Sequence, residues 1–409
     1  MPRFLCRLAC CTTAALFLLL SKADAQVSVE VVRLGGDKVS GRFMAMTTDT
    51  IRLSIDDAPA TVDVEETLSL SVSDVPTHRT PPIDASGWAL LTTGDWLRLQ
   101  PLSIDDESIL TRWANFPAMP PLSLPLEVCR GIAINAGSDR MRQGQVFSRL
   151  IDRTEESDEI VLRNGDRISG TFVQLADSRV LIETSAGEVP IDVSGSESLA
   201  FNPDLISTPD MPDSYATLVL SDGSSLWAET VESDGNELLV ETVTGFEVAI
   251  PVSVLREIQF YSPRCVSLTT VNSVRRETTP FLSTRRNSRT GTNVIGGPLC
   301  VAGHRMATGL GVSSGTSVTW PLVDSTDRFV ASVGVDDAAG GQGSVVFEVL
   351  LDGVSAWKSE RLTGRDPAVV IPAIELANAA ELTLRVGFAD RGHVFDFANW
   401  CNPVLIYGE

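Results

Sequence analysis

The stretch GGPLCVAGHRMATGLGV, Gly296 to Val312, decides how the last third of this chain is interpreted. It leads into FVASVGVDDAAGGQGSVVFEVLLDG, Phe329 to Gly353, and the pattern closes at FDFANW, Phe395 to Trp400. Apolar residues alternate with a period of two, and Asp-Asp and Gly-Gly pairs separate the alternating runs, which is typical of antiparallel strands joined by tight turns. Such strands across residues 264–409 predict a two-sheet β-sandwich.

The order of these motifs resembles the NPCBM/NEW2 domain, a family of carbohydrate-binding modules. The resemblance covers about residues 264–409 and implies a jelly roll of the galactose-binding-like type that holds sugar at its loops. The family's Asp-Asp turn and closing Asp-x-x-Asp-Trp pattern fall on the candidate carbohydrate-binding residues Asp336, Asp337, Asp396, Asn399 and Trp400. Asn399 stands where the family more usually has an acid, which keeps a hydrogen-bonding role.

These residue types suit a sugar, because planar polar groups pair with hydroxyls and an aromatic face stacks on the C–H side of the ring. Structural alternatives stay open at each position. Trp400 lies on a predicted last strand and suits a core. Asp336 and Asp337 suit a turn, and Asp396 and Asn399 suit a tie between the last strand and a neighbouring loop.

Charge divides the chain into two parts. The net charge is −21, yet residues 264–409 carry 13 basic and 14 acidic side chains, so the rest carries −20. Nucleic acid is therefore an unsuitable partner. A basic run is the local exception, and its members are Arg275, Arg276, Arg285, Arg286 and Arg289. It suits either an acidic ligand such as a glycan or docking on the acidic part of the chain.

The acidic part repeats itself. LRNGDRISGTFV (Leu162 to Val173) and LVLSDGSSLWAE (Leu218 to Glu229) share a pattern, and Gly165 and Gly223 are 58 residues apart. Self-similarity predicts duplicated units, which we place at 26–75, 85–135, 157–203 and 214–262. They loosely resemble SH3-like or Sm-like small barrels. The predicted class is thus all-β, with tandem small β-barrel-like repeats before the jelly-roll sandwich, and Val146, Leu150 and Ile151 predict one short helix between units.

The N-terminus predicts export. Residues 1–25 combine basic Arg3 and Arg7, an apolar run and a small-x-small cleavage site, which together describe a signal peptide. We expect a secreted or periplasmic protein without a membrane span after cleavage. Four cysteines then remain: Cys129, Cys265, Cys300 and Cys401. A Cys265–Cys401 disulfide is predicted because both lie near the ends of one module; buried free thiols are the alternative.

No catalytic fingerprint is present, and the chain has only three histidines, so we predict that it is not an enzyme. No cofactor or zinc site is expected, while a structural calcium ion at Asp336, Asp337 and Asp352 stays open. The predicted function is a non-catalytic exported protein that binds a glycan or polysaccharide through its sandwich, with the repeats as spacer or platform. The alternative is an assembly protein whose sandwich binds another extracytoplasmic protein.

Overall fold

The computed structural model describes residues 27–73 and 87–408, apart from 106, 138, 282–285, 324, 377 and 391. The predicted signal peptide and Arg285 lie outside the described residues. Strands dominate the described chain, and the predicted all-β class is confirmed. Within this described part, no helix has the length and apolar character needed to cross a bilayer.

Four N-terminal units share one pattern of five strands. The first unit contains β1 (Ser28–Arg33), β2 (Lys38–Met46), β3 (Thr50–Ile55), β4 (Ala58–Asp63) and β5 (Thr67–Val72). The second contains β6 (Trp88–Leu91), β7 (Trp96–Ile104), β8 (Ser108–Trp113), β9 (Leu122–Pro125) and β10 (Cys129–Ala133). The third contains β11 (Asp158–Leu162), β12 (Arg167–Ala176), β13 (Arg179–Thr184), β14 (Gly187–Asp192) and β15 (Ser196–Ala200). The fourth contains β16 (Tyr215–Leu220), β17 (Ser225–Ser233), β18 (Glu237–Thr242), β19 (Glu247–Pro251) and β20 (Leu255–Tyr261).

In every unit the first strand pairs with the second and the fifth, and the second continues through the third to the fourth. A 3₁₀ turn precedes each fifth strand, and these turns are Val64–Glu66, Leu126–Val128, Val193–Gly195 and Val252–Val254. The first hairpin of each unit turns on a glycine with positive φ: +91° at Gly36, +108° at Gly94, +94° at Gly165 and +89° at Gly223. Glycine adopts this conformation without steric cost, which explains the recurring Gly-Asp and Asp-Gly pairs.

The units associate in two pairs, one of which joins the two ends of the four-unit part of the chain. Strand β5 of the first unit pairs with β20 of the fourth, and β10 of the second pairs with β15 of the third. One apolar core runs through all four units. Strand pairs therefore join neighbouring units to one another, and the SH3-like comparison stays a prediction.

One helix, α1 (Arg140–Ile151), follows the second unit. Asp139 caps it by accepting hydrogen bonds from the backbone amides of Met141 and Arg142, which satisfies two free donors of the first turn. Val146 and Phe147 are fully buried against the second and third units. The predicted short helix is therefore present.

The C-terminal part is a sandwich of two facing sheets, as predicted. One sheet contains β21 (Cys265–Ser267), β23 (Arg289–Thr290), β26 (Gly309–Ser313), β28 (Thr326–Val335), β32 (Val369–Val370), β33 (Ile374–Glu375) and β35 (Phe397–Tyr407). The other contains β22 (Arg275–Thr278), β27 (Thr316–Pro321), β29 (Ser344–Leu351), β30 (Val354–Lys358), β31 (Leu362–Thr363) and β34 (Glu381–Phe388). The short hairpin β24 (Cys300–Val301) and β25 (His304–Arg305) lies beside them.

The sandwich packs directly on the units. An apolar cluster joins Tyr215 and Tyr261 of the fourth unit to Val404 and Ile406 of β35. Helix α1 approaches the sandwich so closely that a Cβ at Gly144 would lie 2.8 Å from the carbonyl oxygen of Ile295. The two parts therefore share an extended, closely packed interface.

This close approach reverses the usual effect of replacing a helical glycine. Gly144→Ala gains up to about 1 kcal/mol of helix propensity, but overpacking costs about 1–3 kcal/mol. We expect a net loss of about 1 kcal/mol in the free energy of unfolding, measured by urea denaturation. Gly195→Ala, where a Cβ meets open space, is the control without this loss. A more stable Gly144→Ala variant would contradict the contact.

Candidate functional site

The structure brings four of the five predicted binding residues into the interior of the sandwich. Asp336, Asp396, Asn399 and Trp400 are each at most 1% exposed, and the Asp337 side chain is 15% exposed. Their roles therefore depend on which buried groups they contact and on which of them reach a cavity.

Asp336 is the centre of a buried hydrogen-bond network. Its carboxylate accepts from Asn293 Nδ2 at 3.0 Å and Asn399 Nδ2 at 2.6 Å, and from the amides of Cys300 at 3.1 Å and Ala338 at 2.8 Å. Burial raises the pKa of Asp336 to about 6, while these donors oppose the rise. The network joins three loops to β35, so Asp336 and Asn399 have a structural role here.

Asp337 faces the N-terminal units. Its carboxylate accepts from the amide of Gly303 at 2.8 Å and lies 3.5 Å from the guanidinium of Arg140, at the start of α1. It thus contributes to the interface between the sandwich and the units.

Trp400 packs in the core of the sandwich, the alternative that the sequence left open for it beside a role as sugar platform. It lies on β35, which pairs with β26 and β28 on either side. Its ring packs edge-to-face on Phe347, with centroids 5.2 Å apart. A side chain 1% exposed cannot present its face to a ligand.

Asp396 reaches a small cavity, which we call the Asp396 pocket. Its Oδ1 accepts from the amide of Ser344 at 2.8 Å. Its Oδ2 is buried outside ideal hydrogen-bond geometry and interacts with the equally buried Ser314 hydroxyl, which opposes the rise in the pKa of Asp396. The register of β26 against β35, which sets Ser313 opposite Phe397, places both groups at one end of the sandwich. Burial raises the pKa of Asp396. Buried polar atoms without a well-formed hydrogen bond are uncommon and indicate a missing hydrogen-bond partner.

An aromatic and basic rim borders the Asp396 pocket. Phe281 is 58% exposed and packs on Phe388 and His393, with ring centroids at 5.6 and 5.8 Å. Arg286 lies 5.4 Å above the ring of Phe397. Phe281 was not predicted as a site residue, and His393 was given no role. The sequence feature that could have indicated Phe281 is its position as an aromatic residue inside the basic run, at Pro280-Phe281.

The cavity itself has a volume of about 10 Å³, enough for a group the size of one water molecule. The pocket is therefore too small for a ring, and it can admit a single hydroxyl-sized group. The backbone beside the pocket is strained, because Phe395 has a φ of +57°, unusual for an aromatic residue.

The basic run does not form one surface patch. Arg289 donates to both carboxylate oxygens of Asp152, at the end of α1, at 2.8 Å, so it docks the sandwich on the units. Arg275 and Arg276 pair with groups of the sandwich itself, and Arg286 belongs to the rim of the Asp396 pocket. The run thus divides between docking and the candidate site.

The predicted Cys265–Cys401 disulfide is wrong, because all four cysteines of the described chain are free thiols. Cys265 pairs with Ile406 on β35, so Cys401 lies five residues further along the strand, about 16 Å away. A disulfide needs Cα atoms within about 7 Å. Burial raises the pKa of Cys265 to about 12, which keeps this thiol neutral.

The open calcium alternative receives no support. Asp336 precedes and Asp352 follows strand β29, so the strand separates them, and Asp352 accepts from the amides of Ala380 and Glu381. In the described residues, no three acidic, histidine or cysteine side chains gather as a metal site.

Comparison with known proteins identifies the sandwich. Residues 266–406 match the model of the NPCBM/NEW2 domain family. The C-terminal part is thus a carbohydrate-binding-module-like domain, and the family of that domain is NPCBM/NEW2. No curated protein matches the chain.

Among solved structures, similarity is seen to a CBM51 module from Clostridium perfringens GH95 in complex with methyl-galactose, with 21% identity, a TM-score of 0.32, and coverage of 34% of this chain and 99% of that one. Tandem CBM51 modules of a family 98 glycoside hydrolase from Streptococcus pneumoniae give 12% identity, a TM-score of 0.31, and coverage of 64% and 91%. A third structure contains CBM51-2 in complex with GlcNAc and INT domains from Clostridium perfringens ZmpB. It shares 17% identity with this chain, has a TM-score of 0.32, and the match covers 56% of this chain and 43% of that one, so this chain spans less than half of that protein.

The buried carboxylate of Asp336 makes stability depend on pH. Its raised folded-state pKa means that between about pH 4 and 6 the folded chain holds a proton that the unfolded chain has released, so stability falls as pH rises. The quantity to follow is the difference in free energy of unfolding, wild type minus Asp336→Asn. We expect this difference to fall by up to about 3 kcal/mol across this window and then to level off. Urea denaturation at several pH values measures it.

The subtraction removes the effect of Asp95, whose pKa is also raised to about 6 by burial. A difference that rises with pH would mean that the four donors favour the Asp336 carboxylate more than burial penalises it.

Proposed function

We propose that this chain is a non-catalytic exported protein that binds carbohydrate at the rim of the Asp396 pocket, with the acidic units as a platform. The observation that carries this proposal is the combination, at one end of an NPCBM/NEW2 domain, of an exposed aromatic ring and a buried Asp396 carboxylate whose Oδ2 has only the Ser314 hydroxyl beside it, outside ideal hydrogen-bond geometry. The chain is proposed to act outside the cytoplasm, as the features of residues 1–25 predict.

Each part of the rim suits a different part of a sugar. The exposed face of Phe281 can cover the apolar C–H face of a ring. One hydroxyl can enter the pocket, donate to Asp396 Oδ2 and bond with Ser314 Oγ. Arg286 and His393 lie at the edge, where further hydroxyls would meet donors.

The same geometry supports the proposal that binding occurs without catalysis. Glycoside hydrolysis typically uses two carboxyl groups that flank the scissile bond. Among the described residues that line the Asp396 pocket, Asp396 is the single acid, and its Oδ1 is engaged by the amide of Ser344. This arrangement supports recognition of a hydroxyl rather than bond cleavage.

A glycan array with the whole chain tests the proposal. We expect the wild type to bind a defined set of glycans and Phe281→Ala to weaken binding about tenfold, since the half-exposed ring loses about 1.4 kcal/mol of apolar contact with the sugar. Val394→Ala is the matched control, because Val394 is also 58% exposed and follows His393 in the chain but does not line the pocket.

Equal binding by Phe281→Ala and the wild type would contradict the proposed site. Silence of the folded wild type across neutral and acidic glycans would contradict carbohydrate binding itself. The second result would favour the alternative of an assembly protein whose sandwich binds another extracytoplasmic protein.

A further inference from the structure

A second cavity, of about 340 Å³, lies where the second unit, the fourth unit and the sandwich meet. We call it the interdomain cleft; Thr92 and Arg130 belong to the second unit, Trp227 to the fourth and Thr292 to the sandwich. Small-molecule sites typically occupy about 300–1,000 Å³. The cleft shares no lining residue with the Asp396 pocket.

The charge of the cleft opposes that of its surroundings. Residues before 264 carry a net charge of −20, yet the described lining of the cleft contains no carboxylate and a single charged side chain, Arg130. The positive charge of Arg130 therefore favours binding of an anion in the interdomain cleft, although the surrounding protein is acidic.

Arg130 makes no hydrogen bond with its side chain to a described residue. Its guanidinium is partly buried, and this burial lowers its pKa, against the attraction of Asp152. Asp152 attracts Arg130 without a hydrogen bond, and its close contact is with Arg289, which donates to both of its oxygens at 2.8 Å. A partly desolvated guanidinium without a hydrogen-bonded anion is unfavourable, and a bidentate carboxylate would satisfy it.

Two further polar atoms at the cleft lack partners. Thr92 Oγ1 and Trp227 Nε1 are buried without a hydrogen bond to any described residue, and each residue is 8% exposed. The indole N–H lies next to Gly94, where a Cβ would lie 3.5 Å from Nε1, so the glycine leaves space beside this donor. Tyr215 stacks on the indole at 5.3 Å and holds it in place.

We propose that the interdomain cleft binds a small hydroxylated carboxylic acid of about monosaccharide size, a sugar acid. Its carboxylate pairs with Arg130, and its hydroxyls accept from Trp227 Nε1 and bond with Thr92 Oγ1. Buried hydroxyl and indole donors favour a ligand with hydroxyl groups over a purely apolar acid, since an apolar acid would leave both atoms unpaired. This site is independent of the proposed glycan site at Asp396.

Isothermal titration of the whole chain with D-glucuronate, D-glucose and acetate tests the proposal. We expect glucuronate to bind, and glucose and acetate to bind at least about tenfold more weakly, because each lacks one half of the recognised chemistry. Arg130→Gln is expected to weaken glucuronate about tenfold to a hundredfold. Thr92→Val, which keeps the shape and removes the hydroxyl, is expected to weaken it several-fold.

Two controls separate this site from others. Arg112→Gln removes an exposed arginine of the second unit that pairs with Gln100, and it should leave glucuronate binding unchanged. Phe281→Ala removes any contribution of the rim of the Asp396 pocket, so glucuronate binding at the interdomain cleft is the binding that persists in this variant and is lost in Arg130→Gln. Absence of glucuronate binding by the wild type would overturn the inference. So would glucuronate binding by folded Arg130→Gln and Thr92→Val that is as strong as that of the wild type.

Discussion

The packing of helix α1 against the sandwich is the contact on which the arrangement of this molecule depends. Gly144 lets the backbone of α1 approach Ile295 directly, and the Arg289–Asp152 ion pair closes the same interface. Contacts of this kind lose both shape and charge complementarity when one partner shifts. The relative position of the units and the sandwich, and with it the interdomain cleft, therefore rests on residues far from any proposed ligand.

Local patterns predicted the elements well. Alternation of apolar residues gave the strands, the recurring Gly-Asp pairs gave the first hairpin of each unit, and the motif order gave the sandwich, because these signals depend only on near neighbours in sequence. The pairing of the first unit with the fourth and of the second with the third was not predicted. It depends on edge strands whose sequences do not indicate which strand they pair with.

The candidate site was predicted less well, for a physical reason. Asp336, Asn399 and Trp400 have the right chemistry for sugar, but chemistry alone does not distinguish a buried network from an open one. Whether these side chains can contact a ligand depends on their exposure, and exposure is set by the packing of the complete sandwich. Asp396 reaches a cavity and Phe281, a residue without a motif of its own, supplies the exposed ring. The basic run divided because its members lie on separate strands and loops.

A crystal structure of the whole chain soaked with the glycan that it binds best would show directly whether the Asp396 pocket holds sugar. We expect a sugar ring in contact with the face of Phe281, with one hydroxyl oxygen about 2.7 Å from Asp396 Oδ2. A sugar bound elsewhere on the sandwich, with the Asp396 pocket free of any sugar hydroxyl, would contradict it.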